Sequence, residues 1–208
     1  GLTHERVVAE AASIADEVGL SGLTVSAIAS RVGVAQPSVY KHIDSVDSLH
    51  RDLAVLGLQE LASELTLAAA GNARTDALVA VADAYRTYAR RRPGPYEASL
   101  RAPAPDDAEH TAAAADVLAV AGAVLGGYGI SGDDLVDAIR CLRAALHGFV
   151  ALEAAGGMKM PRSNDVSYHR MIAGLDLVYA AWPPTVADAA APAPPPASGP
   201  ATRRKAER

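Results

Sequence analysis

Apolar residues recur at helical spacing along nearly the whole chain, and polar or glycine positions between them cut it into nine segments. Val7, Ala11, Ile14, Ala15 and Val18 share one helical face. With Thr3 as N-cap and Gly19 as the stop, Leu2 to Val18 is expected as a first helix. Thr24 caps a short second helix with Ile28, Ala29 and Val32 inward, and Gly33 follows where a left-handed residue ends a helix at least cost. A third helix, from about Ala35 to His42, has Pro37 in its first turn, where a missing N–H does no harm. Val34 and Val39 are spaced to pack back on the second helix. Ser45 caps a fourth, from about Val46 to Ala70, with Leu49, Leu53, Leu56, Leu61 and Leu65 along it. That length corresponds to roughly 35 Å.

Five further segments follow. Thr75 to Arg92 presents Leu78, Val81, Ala82, Tyr85 and Ala89, then stops at Pro93-Gly94-Pro95. A short helix is expected around Tyr96 to Leu100, and another from Asp106 or Asp107 to Gly127. Asp133 to Ala155 is strongly amphipathic through Leu135, Ile139, Leu142, Leu146, Phe149 and Val150. Asn164 or Asp165 caps the last helix, which carries Met171, Ile172, Leu175, Val178, Tyr179 and Trp182 before Pro183-Pro184. No strand pattern competes, so the expected fold class is all-α. Residues 1–46 form a three-helix helix-turn-helix unit, residues 47–182 form a second helical domain, and the Ala/Pro-rich residues 183–208 are too poor in core formers to fold.

Helix, glycine turn, helix is the geometry of a helix-turn-helix DNA reader. The residues that fill it, Thr24-Val25, Ile28-Ala29, Val32-Gly33-Val34, Val39-Tyr40-Lys41-His42 and Leu49, resemble the DNA-binding domain of the tetracycline-repressor (TetR) family from about Leu2 to Leu56. Two positions depart from the family pattern. Ile43 stands where Phe is usual and should still fill the core, while Val46 replaces a Lys and removes one phosphate contact. The segment Leu146-His147-Gly148 further resembles the His-Gly segment of a subgroup named for a Trp-His-Gly motif, although no Trp is adjacent here.

Charge complicates the picture. The 208 residues carry a net charge of −5. Between Gly1 and Leu56 the cations Arg6, Arg31, Lys41 and Arg51 face seven acids: Glu5, Glu10, Asp16, Glu17, Asp44, Asp47 and Asp52. Non-specific DNA affinity comes largely from phosphate neutralisation, so this balance argues against tight binding by a single copy, and a dimer doubles the contacts. The rival reading is a helical ligand-binding or interaction protein that has lost tight DNA binding. An enzyme is not expected, because no two of the six histidines have metal spacing and no phosphate loop or nucleophile elbow appears. No cofactor and no metal is expected. The single cysteine, Cys141, rules out an internal disulfide and points to a reducing, cytoplasmic setting. No membrane partner is expected.

Outward side chains of the third helix, Gln36, Pro37, Ser38 and Lys41, should face the major groove. Gln suits adenine in a bidentate pair, and proline suits a thymine methyl. The resemblance implies phosphate contacts for Tyr40, His42 and the helix start at Thr24 and Ser26. It also implies a double-stranded DNA operator, a homodimer built by the last two long helices, and a small-molecule effector held among helices five, seven and eight. The residues expected to line that pocket are Tyr85, Tyr88, Leu118, Val124, Tyr128, Leu142, His147 and Phe149. Arg90-Arg91-Arg92 reads as cations at a helix C-terminus, and Glu153 as a salt-bridge partner on an apolar face.

Overall fold

Capping chemistry sets most of the boundaries. A computed structural model describes residues 1–182, and helices are the only regular elements among them. They are α1 His4–Val18, α2 Val25–Val32, α3 Gln36–Val39, α4 Val46–Ala69, α5 Arg74–Arg91, α6 Pro93–Ala98, α7 Ala108–Gly126, α8 Gly132–Ala154 and α9 Asn164–Ala180, with a 3-10 turn at Leu20–Gly22. Thr3, Thr24 and Asp107 each accept a backbone N–H three residues on, and Ser45 with Ser48 forms a reciprocal capping box at α4. The Ala/Pro-rich tail, including Arg203, Arg204, Lys205 and Arg208, lies outside the described residues.

Most boundaries shift by a residue or two from the sequence expectation, and three of the differences have a local chemical reason. The helix α3 ends at Val39 rather than His42, because Tyr40 to His42 form a turn and the His42 carbonyl accepts from His4 Nδ1 at 2.7 Å instead of continuing the ladder. The Pro93-Gly94-Pro95 run starts α6 rather than only ending α5, since proline is preorganised for a first turn whose N–H groups are unpaired anyway. For α9 the N-cap is Ser163, with Asn164 the first helical residue and no side-chain cap bond.

Two apolar clusters result. Val7, Ala11, Ile14, Ile28, Val39 and Ile43 meet Leu49 and Leu53 of α4 at the N-terminal end, where Ile43 does fill the core at 4% exposure. Farther along α4, Leu61 and Leu65 join a second cluster with α5, α8 and α9 around Leu78, Tyr88, Leu142, Tyr168 and Ile172. One helix thus contributes to both cores, and each buried leucine is worth roughly 1.5–3 kcal/mol. The helix α7 has 19 residues with a mean hydropathy of 1.3, apolar enough by length and composition to cross a bilayer, and it packs here against α4, α5 and α8.

The short α6 is wedged between the two ends. A Cβ at Gly57 of α4 would meet the Pro95 backbone carbon at 2.8 Å, and one at Gly94 would meet the Ala15 carbonyl carbon at 2.6 Å and Asp16 N at 2.8 Å. Glycine is required at both places by close backbone approach. The Gly94 N–H also donates to Asp16 Oδ1 at 2.9 Å.

Candidate nucleic-acid interface and ligand cavity

The α2–α3 turn is built locally. Thr24 Oγ1 accepts from Ala27 N at 3.1 Å, Gly33 adopts φ 73° and ψ 36°, and Val34 N–H returns to Ala29 O at 2.9 Å, closing the helix end. Val39 is fully buried against this turn, which leaves the rest of α3 outward. Gln36, Pro37, Tyr40 and Lys41 are exposed, and Ser38 and His42 are half-buried. Thr24 and Ser26 are exposed at the start of α2. All eight residues expected at the DNA interface therefore lie on α2, α3 or the turn that follows α3, and none is buried.

Ion pairs cover four of the reading head's carboxylates. Asp16 meets Arg92 at 2.7 Å, Asp47 meets Arg101 at 2.7 Å, Glu17 meets Arg31 at 2.6 Å and Asp52 meets Arg51 at 3.3 Å. Two of those arginines come from beyond residue 56, but Arg92 is shared with Glu60, and Arg51 is itself held by Asp107 and Glu109, so the pairing covers individual carboxylates and leaves the head acidic. The Asp47 carboxyl is held below its ordinary value by hydrogen bonds from Arg101. Asp16 is pushed above its ordinary value by burial, against the pull of Gly94 N–H and Arg92. Arg6 and Lys41 make no ion pair among the described residues and are exposed.

A cavity of about 340 Å³ opens between α4, α5, α7, α8 and the loop after α6. Leu58, Leu61, Leu65, Val117, Leu118 and Leu146 give it apolar walls, and Ser99 to Pro103 close one side. Of the eight residues expected there, Tyr85, Leu118 and Leu142 line it. The other five lie elsewhere. Tyr88 is fully buried and donates to Glu60 at 3.0 Å. Val124 is core, and the Tyr128 hydroxyl donates to Asp176. Phe149 stacks edge-on against Tyr168, and the Arg86 guanidinium lies against both rings, 5.4 Å from the Phe149 centroid and 4.6 Å from that of Tyr168. His147 hydrogen-bonds through Nδ1 to the Tyr96 hydroxyl at 2.8 Å, one residue removed from the cavity wall.

Sequence reasoning missed Arg143 and the Ser99–Pro103 loop. Arg143 was legible in principle as a charged residue beside Leu142 on α8, and it is exposed in the fold. The loop gave no signal, because its position depends on how α6 is wedged. The arginine triplet does more than sit at a helix end: Arg90 binds Glu153, Arg91 binds Glu64, and Arg92 binds both Glu60 and Asp16. Glu153 also takes a bidentate pair from Arg86, at 2.9 and 2.6 Å.

Comparison with known proteins agrees with this arrangement. Residues 7–53 match the family model described as bacterial regulatory proteins, tetR family, and residues 78–175 match a tetracyclin repressor-like C-terminal domain. An uncharacterised HTH-type transcriptional regulator of Mycobacterium tuberculosis is 39% identical over 158 residues, covering 76% of this chain and 72% of that one. A second uncharacterised HTH-type transcriptional regulator, from Bacillus subtilis, is 32% identical over 154 residues, covering 74% and 80%. Among solved structures, a protein of unknown function from Rhodococcus sp. RHA1 superposes with a TM-score of 0.71 at 22% identity, covering 85% of this chain and 95% of that one. A TetR variant from Acinetobacter baumannii AYE in complex with minocycline gives 0.63 at 22% identity, covering 88% and 97%.

Proposed function

Because the chain belongs to the TetR family, and is thus a DNA-binding transcriptional regulator and not an enzyme, we propose that it is a ligand-responsive repressor acting as a homodimer on a near-palindromic operator. The groove face is Gln36, Pro37, Ser38 and Lys41, with Tyr40, His42, Thr24 and Ser26 on phosphate. The effector occupies the cavity between α4, α5, α7 and α8, and the protein works in the cytoplasm.

One observation carries the ligand response. The cavity wall Ser99–Pro103 continues directly from α6, and Arg101 within it donates to Asp47 in the first turn of α4 at 2.7 Å. An occupant that moves this wall therefore acts on α6, which is locked to α1 through Gly94 and Asp16, and on the start of α4. A displacement of these elements alters how the reading head sits on DNA. Exposed apolar side chains support the dimer: Val136 and Leu152 on α8, and Val166, Leu177 and Val178 on α9. A twofold partner covering that face would set two α3 helices toward half-sites about 34 Å apart.

The test is operator affinity, by fluorescence anisotropy on a duplex selected from random sequence, with and without a cavity-binding compound. Affinity should fall by roughly 5- to 150-fold. Arg101→Gln should shrink that ratio with little change in melting temperature, since the pair is exposed. DNA affinity indifferent to every compound that fills the cavity would defeat the ligand response.

A further inference from the structure

The cavity has an asymmetric charge. Two charged residues line it, Arg101 and Arg143, and no carboxylate does. Arg101 is committed to Asp47. Ser99 Oγ donates to the Tyr96 carbonyl at 2.7 Å, and the Tyr85 hydroxyl is bonded to that of Tyr96 at 3.0 Å. Arg143 alone among the lining polar side chains has no hydrogen-bond or ion-pair partner among the described residues. Arg143 is exposed and shares the cavity wall with Tyr85; burial pushes the Tyr85 and Tyr96 phenols up, and the Arg143 charge opposes that rise at both.

We propose that this cavity takes an aliphatic molecule carrying a single anionic head, a carboxylate or phosphate, with the head on Arg143 and the Tyr85 hydroxyl and the tail between α4 and α7. The inference rests on reading the cavity as the effector site. A chain of hydrogen bonds supports it. With the proton on His147 Nδ1, His147 donates to Tyr96, Tyr96 donates to Tyr85, and the Tyr85 hydrogen is left pointing at the ligand. An anion selects that direction, making His147 a positioning residue outside the cavity wall. A cationic ligand would sit beside the unpaired Arg143 guanidinium with no carboxylate in the wall to offset it. Leu58, Leu61, Val117 and Leu118 supply only apolar contact for the tail, so they admit an alkyl chain without selecting its head.

The experiment is isothermal titration of the full chain with decanoate, decyl phosphate, decanol and decylamine. Both anions should bind at least tenfold more tightly than the alcohol, and the amine more weakly still; the tighter of the two anions identifies the head. Arg143→Gln should lower anion affinity by roughly ten- to a hundredfold and alcohol affinity by less than about threefold, as expected for a hydrogen bond to a charged group. Its melting temperature should match the parent, because Arg143 has no intramolecular partner to lose. Tyr85→Phe should show the same selective loss. An alcohol or amine that binds as tightly as the anions, no binding by any of the four, or an unchanged preference in Arg143→Gln would overturn the proposal. Operator release is read in parallel. Anions that bind through Arg143 yet leave operator affinity unchanged contradict the ligand response, not the head-group assignment.

Discussion

Gly94→Ala is the sharpest test of the wedge that joins cavity to reading head. The added methyl would lie 2.5 Å from Ala15 Cβ, 2.6 Å from the Ala15 carbonyl carbon and 2.8 Å from Asp16 N. Two of these atoms are backbone, so α6 must retreat from α1 by something on the order of 1 Å. Overpacking of this kind costs about 1–3 kcal/mol. Retreat also loosens the Gly94 N–H bond to Asp16, a bond to a partly buried carboxylate worth about 1.5–3 kcal/mol. The lower chain entropy of alanine returns about 0.4–1 kcal/mol. The net is a loss of about 2–5 kcal/mol, or a melting temperature lower by roughly 5–20 °C for a chain of this size. Scanning calorimetry, with urea titration alongside, measures it. Gly126→Ala is the control, a helical glycine with nothing within 4 Å of the added methyl, and should be neutral or slightly stabilising. A Gly94→Ala protein melting within about 2 °C of the parent, or a control that falls as far, would refute the wedge.

Three further outcomes are expected. Glu153→Gln leaves the nearly buried Arg86 without its bidentate partner; with Asp165 still 2.9 Å away, the loss should be about 3 kcal/mol by urea denaturation. Hydrogen bonds from Arg86, then from Arg90, hold Glu153 down to about 2. Its contribution is therefore complete above its ordinary value of 4.5 and lost as pH falls toward 2, so the variant should flatten that stretch of the stability–pH curve. Leu177→Glu puts a charge at a side chain 72% exposed in the single chain; sedimentation should show monomer and anisotropy a weaker operator complex, whereas an intact dimer would move the interface off α9.

Much of the fold was legible because local chemistry marks it. Thr24, Gly33 and Ser45 fix their own backbones, and the inward stripe of Ile28, Val39 and Ile43 has one way to be buried. The site was legible only where side-chain direction follows from a single element, as at Gln36 and Lys41. The cavity depended on contacts between distant segments. Tyr88 and Phe149 have the spacing of lining residues, yet Glu60 draws one and the Arg86–Tyr168 stack holds the other. The prolines before Tyr96 looked like a stop because proline ends one helix and starts another by the same missing N–H. The pairing of the head's acids was not legible either, since Arg92 and Arg101, which meet Asp16 and Asp47, come from far along the chain.

The most direct measurement is equilibrium binding of the full chain to its selected operator and to a random duplex across a salt series. Both affinities should fall steeply with salt, Lys41→Ala should reduce each slope by about one, and Gln36→Ala should erase about 1–3 kcal/mol of operator preference while sparing the random duplex. If both variants bind both duplexes as the parent does, or if salt has no effect, the outward face of α3 does not read DNA.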